Sequence, residues 1–285
     1  MTICMGALCT DRLAGDTVVL ASDRMVTWRN LTEFEHPVPK IYTISPATWA
    51  LGAGDALAGA KIIAEAAAKV ANVPRPVQEI ADVVAQQYHS VRMNAAEGQI
   101  LLPRGLTLAT YYDRHQQLLP QITENLDQLL ASFDPEVELI VAGVDSSGGH
   151  LFTVGNPGGS AECHDVIATV AIGTGEIHAV QSMIGFGHAA TQPVKDTIFH
   201  VFASKRRAEL APGVGRDTGL MVLSPSEAVR LPDKAFAKLG ELYDSYAASV
   251  VASAQEQVGG WAFDLAGGSV STVAAGASAD HVLQS

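Results

Sequence analysis

Three polar residues near the start of the chain have types that could share one piece of chemistry: Thr2, Asp23 and Lys40. Thr2 directly follows the initiator Met1, so removal of Met1 leaves a threonine bearing both a hydroxyl and a free α-amine. The amine can take the hydroxyl proton, which puts nucleophile and base on one residue and activates a weak nucleophile. A free α-amine has a reference pKa of about 7.7–8.0, so a good share is unprotonated near neutral pH. A neighbouring Lys40 ammonium would lower that pKa and hold developing negative charge. Asp23, paired with Lys40, would keep the ammonium charged and in place. Each residue also has an ordinary reading. A small residue at position 2 suits Met removal, Asp23 would serve as a strand-end turn residue, and Lys40 as a surface lysine.

These residues need elements to position them. Residues 2–8 and 17–22 read as two strands joined by the turn-like CTDRLAGD, a hairpin. On a strand starting at Thr2, Thr2, Cys4 and Gly6 share one face and Ile3, Met5 and Ala7 the other. A polar loop with Pro37 and Pro39 follows Asp23. A second hairpin, 40–44 with 48–51, turns at Ser45-Pro46. Gly52-Ala53-Gly54 leads into a helix over 55–70 with Asp55 as N-cap, and a second helix spans 77–97, with a loop from Gly98 to Pro103. Residues 106–134 read as a helix broken near Pro120. Strands are predicted at 138–144 and 151–154, with a further strand-like segment over 163–172. A helix follows Gly173-Thr174-Gly175, running to about Gly185, and another spans 191–210 with Thr191 as N-cap and Pro193 in its first turn. A short strand at 220–223 and a helix at 236–257 complete the order. The predicted organisation is one domain over 1–258 and a flexible Gly/Ala/Ser-rich tail over 259–285. Strand blocks alternating with helix pairs imply helices layered on mostly antiparallel sheets, an α+β class.

In this order the motifs resemble the proteasome β-subunit family, including its bacterial relatives, within the N-terminal nucleophile hydrolases. TICMGAL with VVLASDRMVT is similar to that family's opening hairpin, KIYTI to its lysine segment, and WALGAGDALAGAK to its strand-to-helix passage. IATVAIGTGEIHAVQSM and VGRDTGLMVL resemble the later glycine turn and the closing loop. The resemblance spans residues 2 to about 223 and implies a four-layer αββα sandwich and assembly into homo-oligomeric rings. It implies Thr2 as nucleophile, with Asp23 and Lys40 beside it. Thr174 would stand where the family has a serine that helps the amine, and its N-cap reading stays open beside that role. Gly52 or Gly54 would supply the oxyanion N–H, although only Ala53-Gly54 separates Gly52 from Asp55, fewer residues than in the family. Asp217 and Thr218 are weaker candidates, because Gly215 stands where the family often has an acid.

Composition narrows the function classes. The 285 residues carry a net charge of −12 at pH 7 and are 48% hydrophobic. That acidity argues against nucleic acid or an anionic membrane as partner. No apolar run of about 18 residues marks a membrane span, and no secretory leader is visible. Three unpatterned cysteines suit free thiols in a reducing cytoplasm. Cys4 shares the Thr2 face and reads as a small core residue. His178, one turn after Thr174, reads as a core or surface histidine. The nine histidines include no HExxH or Cys/His ligand spacing, so neither metal nor cofactor is expected. GTG at 173 and GVG at 213 fall short of a dinucleotide fingerprint. The expected activity is threonine-type hydrolysis of peptide amides in peptides or unfolded proteins. The regulator, an ATPase or otherwise, is undetermined. The same acyl ester attacked by an amine would make a transpeptidase or ligase. The rival class is a non-catalytic ring or binding subunit that retains Met1.

Overall fold

The structure is a computed structural model that describes residues 2–28, 32–37, 40–71, 74–259, 261–264 and 269–272. Its contacts divide the chain into two compact units, Met1–Pro232 and Asp233–Ser285. The fold is mixed α+β.

The first unit is built on two five-stranded sheets. One has the order β10-β1-β2-β11-β12. It contains β1 (Cys4–Asp11), β2 (Gly15–Asp23), β10 (Thr169–Ile172), β11 (Thr218–Leu223) and β12 (Ala228–Arg230). The other has the order β5-β6-β7-β8-β9. It contains β5 (Ile41–Ser45), β6 (Thr48–Gly54), β7 (Val137–Asp145), β8 (Gly148–Val154) and β9 (Glu162–Cys163). Every pairing in both is antiparallel. Alternation decides which residues lie between the sheets. Cys4, Leu8, Val18 and Leu20 from one sheet pack with Leu51, Ile140, Ala142 and Leu151 from the other. Gly6 lies on this face, and a Cβ there would meet Leu151 Cδ2 at 2.7 Å. Thr2 has the parity of Cys4 and Gly6, so the strand aims it into the space between the sheets.

The outer faces carry helices. α1 (Ala56–Val70) and α2 (Val77–Ala96) pack Ile62, Ala66, Ile80, Val84 and Tyr88 against Ala50, Leu139, Val141 and Phe152 of the second sheet. Asp55 caps α1 by accepting from Leu57 and Ala58 N–H, both at 2.9 Å, as its residue type predicts. α5 (Glu176–Gly185) and α6 (Val194–Ala208) contact each other, α5 touching β10 and β1, and α6 touching β1 and β2. Ile3, Met5, Val19 and Ala21, of the opposite parity to Cys4, are fully buried there. Burying the Ile3, Met5 and Val19 side chains contributes about 1.5–3 kcal/mol each before entropy is counted.

Between α2 and β7, a π-helical stretch (Glu97–Leu101), α3 (Leu108–Arg114) and α4 (Pro120–Ser132) enclose a small core of their own around Leu101, Tyr111 and Leu126. Arg92 ties it to the body. Its guanidinium donates to the carbonyls of Leu130, Ala131 and Phe133 at 3.0–3.1 Å, a cation at the C-terminus of α4.

Four details differ from the sequence expectations. Residues 163–172 are not one strand: Glu162–Cys163 belongs to one sheet and Thr169–Ile172 to the other, with Ala168 at φ 63° between them. Thr191 is not an N-cap; α6 begins at Val194 with Pro193 ahead of it and no side-chain cap. The stretch after Asp23 holds a hairpin, β3 (Met25–Trp28) with β4 (Thr32–Glu35). The expected loop from Gly98 instead continues helically.

The second unit consists of α7 (Asp233–Gly259) and the antiparallel pair β13 (Trp261–Asp264) and β14 (Ser269–Thr272). The division thus falls before the long helix, whereas the sequence puts it after that helix. The rest of the predicted tail, 260, 265–268 and 273–285, lies outside the described residues, as do Met1 and Pro39.

Candidate active site

Thr2 precedes β1 and Asp23 ends β2, so the hairpin register brings them together. Cys4 pairs with Ser22, and Asp23 N–H donates to the Ile3 carbonyl at 3.0 Å. The Thr2 hydroxyl donates to Asp23 Oδ1. Lys40 comes from the other sheet, immediately before β5, and its ammonium donates to both Thr2 Oγ1 and Asp23 Oδ1, the latter at 2.8 Å. Asp23 is fully buried and the Lys40 side chain is 15% exposed, so water screens this pair little. Thr174 lies between β10 and α5. Its Oγ1 accepts from Thr2 N at 3.1 Å and donates to the Thr2 carbonyl at 3.3 Å. Gly175, not Thr174, is the N-cap of α5. Three residues far apart in sequence therefore converge on one threonine: its oxygen meets a cation and a carboxylate, and its nitrogen meets a hydroxyl.

The glycines around this point are there for close approach. Gly173 has φ 92°, and a Cβ on it would lie 2.6 Å from the Thr2 carbonyl oxygen. Gly54 has φ 89°, and a Cβ there would sit 1.8 Å from the Glu136 carbonyl oxygen. Both positions favour glycine, since φ > 0 strains other residues. The two oxyanion candidates differ in placement. Gly54 lines the same cleft as Thr2, whereas the Gly52 carbonyl accepts from the Cys4 thiol at 3.4 Å. Asp217 and Thr218 hydrogen-bond elsewhere. Asp217 N–H donates to Glu35 at 3.3 Å and the Thr218 hydroxyl to the Arg216 carbonyl at 3.4 Å. Thr218 reaches the site only as the β11 partner of Asp23.

What the closing loop does supply is a backbone donor. Gly215 N–H donates to Asp23 Oδ2 at 2.9 Å, so both carboxylate oxygens are engaged. Lys205, fully buried on α6, grips that loop. Its ammonium donates to the carbonyls of Gly215 and Arg216 at 2.8 and 2.7 Å and to Glu209 at 2.8 Å. Burial pushes the Lys205 pKa down, and Glu209 works against that. Sequence reasoning missed Gly215 and Lys205. In the run KRRAE, Lys205 reads as a basic last turn with an i,i+4 acid, and nothing local says that it faces inward.

Cys4 lies beside the site without joining its chemistry. Burial pushes its thiol up to about 12, with Lys40 pulling down and Asp23 pushing up. A thiol so held stays protonated at neutral pH and is a poor nucleophile.

Thr2 opens onto a cleft of about 1010 Å³, whose lining includes Gly54, Glu138, Gly173, Thr174 and Glu176. That volume is at the upper end for ligand pockets. Glu138 Oε2 accepts from Gly173 N–H at 3.1 Å, which puts a carboxylate next to the residue that touches Thr2. His178 does not line it.

No helix among the described residues is long and apolar enough to cross a membrane. No protein-family model matches the chain, and no curated protein matches it.

Proposed function

We propose that the chain is an N-terminal threonine hydrolase that cuts peptide amides through an acyl ester on Thr2. The observation that carries this reading is the meeting at Thr2 Oγ1 of the Lys40 ammonium and the Asp23 carboxylate, one from each sheet. With Met1 removed, the Thr2 amine takes the hydroxyl proton as the oxygen attacks the peptide carbonyl. The adjacent Lys40 cation lowers the amine pKa and stabilises the developing negative charge. The Thr174 hydroxyl, in contact with Thr2 N, fixes the amine's direction. A backbone N–H at Gly54 receives the oxyanion. The C–N bond breaks, the amine product leaves with the proton, and water then cleaves the ester and restores the hydroxyl.

The reading extends to lineage and assembly. The chain belongs, on this proposal, with the proteasome β-subunit relatives that its motifs resemble, and helix pairs on the outer faces of two packed sheets support a four-layer αββα sandwich. A homo-oligomeric ring acting in the cytoplasm on peptides or unfolded proteins completes it.

The test starts with N-terminal mass spectrometry of active protein, where Thr2 is expected as first residue. Retained Met1 in an active preparation overturns the mechanism and favours a different activity. Thr2→Ala is expected to abolish both peptide hydrolysis and labelling by a threonine-directed electrophile while the fold persists. Equal labelling of the variant would count against the proposal.

A further inference from the structure

The lining of the cleft beside Thr2 is strongly one-sided in charge. Asp134, Glu136, Glu138, Glu162 and Glu176 line it, and among the described residues no Lys or Arg does. His164 also lines it, and burial lowers its pKa against the pull of Glu162 and Asp165. No group of three or more His, Cys, Asp or Glu side chains among the described residues could hold a metal ion.

Strand register gives the spacing. Glu162 pairs with Thr153, and Thr153 with Ile140, so Glu162 stands level with Ile140 and two strands away. Glu138 precedes Ile140 by two residues and shares its face, the face between the sheets. With strands about 4.8 Å apart and a rise of about 3.3 Å per residue, Glu138 and Glu162 are separated by about 12 Å. That equals three to four residues of extended peptide. Glu138 marks the end nearest Thr2, through Gly173. Glu176 adds a second charge there. Burial and the nearby Glu138 raise its pKa, a repulsion that a bound cation would relieve.

We propose that this cleft selects extended peptide segments carrying Lys or Arg side chains, with Glu138, Glu162 and Glu176 as the carboxylates that hold them. The inference rests on the threonine-hydrolase reading only for where the peptide is cut; charge selection in binding stands apart from it.

Binding is therefore measured on the full chain carrying Thr2→Ala, which cannot turn the probe over. The probes are fluorescent heptapeptides identical except for two positions, occupied by Lys, Gln or Glu. The Lys peptide is expected to bind at least about tenfold more tightly than the Gln peptide at low ionic strength, with the gap shrinking as salt rises. Glu162→Gln and Glu176→Gln, both on exposed residues, are each expected to narrow it by about threefold. Equal affinity for the three peptides, or a gap that neither substitution narrows, overturns the inference. The same peptides are then given to the unsubstituted chain. Preferential binding without cleavage defeats the hydrolase reading and leaves the charge selection standing. Cleavage with no charge preference defeats the selection and leaves the hydrolase.

Discussion

At the scale of single residues, the site depends on how completely Asp23 is held. Its Oδ1 takes Thr2 and Lys40, and its Oδ2 takes the Gly215 N–H. An unpaired buried carboxylate is costly, so each partner also sets where the other two can stand. Lys40→Met is expected to lower kcat by at least about 100-fold, the scale of removing one charge-stabilising donor. KM should change far less, and steady-state kinetics on a peptide amide will separate the two. Lys205 acts one step further out, as a positioning residue for the Gly215 loop. Lys205→Met breaks a buried pair and is expected to cost about 3–5 kcal/mol of stability. At a temperature where the variant is still folded it should also lower kcat by about tenfold, because the loop no longer fixes Asp23. Denaturant melts together with kinetics will check it, and an unaltered kcat in folded variant would remove Lys205 from the site's support.

At the scale of elements, the junctions between strands and helices carry the constraints. Gly173 links β10 to α5 at a spot where the Thr2 backbone leaves no room for a side chain. Gly173→Ala is expected to displace Thr174 from the Thr2 nitrogen and to lower activity by at least about tenfold while the outer helices stay folded. Circular dichroism and a hydrolysis assay on the same sample will show it. The β7–β8 turn provides a test against pH. Burial pushes the Asp145 carboxyl up. The Ser147 hydroxyl, the Val77 and Ser147 N–H groups and His150 outweigh it and bring the pKa down from 3.8 to about 2. The folded state therefore prefers the carboxylate, and its contribution is complete above about pH 4 and is lost as pH falls toward 2. Asp145→Asn should flatten that part of the stability profile, with a loss of about 1 kcal/mol at neutral pH, since the side chain also accepts the Val77 N–H at the start of α2. Urea melts of both proteins between pH 2 and 6 will measure the difference.

At the scale of the molecule, stability rests on the contact between the two sheets. Leu151 is fully buried there and packs close to Gly6, so Leu151→Ala is expected to cost about 2–5 kcal/mol, read from the shift in urea midpoint. The division of contacts at Pro232 leads to a second expectation. A chain ending at Pro232 should melt in one cooperative transition, because each sheet keeps its strands and helices within 1–232. Loss of cooperative melting would mean that the second unit is needed for the first to fold. The same scale explains the misread segment 163–172. CHDVIATV is apolar enough to read as strand throughout, and the bend at Ala168 carries neither Gly nor Pro. Only the need to move from one sheet to the other bends it. The β3–β4 hairpin was hidden for a related reason, since MVTW and TEFE lack the alternation that marks a half-buried strand.

Period-two and helical patterns are local, and the types of most elements, the face that Thr2 shares with Cys4, and the pairing of Thr2, Asp23 and Lys40 as interesting chemistry could all be read from the amino-acid order. The family resemblance added Thr174 on the strength of its motif. Tertiary structure decided the rest. Gly215 and Asp23 are 192 residues apart, and Thr174 and Thr2 are 172 apart; their contacts exist only because β1, β2, β10 and β11 lie side by side. The inward turn of Lys205, the choice of Gly54 over Gly52 as cleft wall, and the gathering of five carboxylates have the same origin. They depend on which strands are neighbours and how two sheets stack, and no window along the chain encodes that.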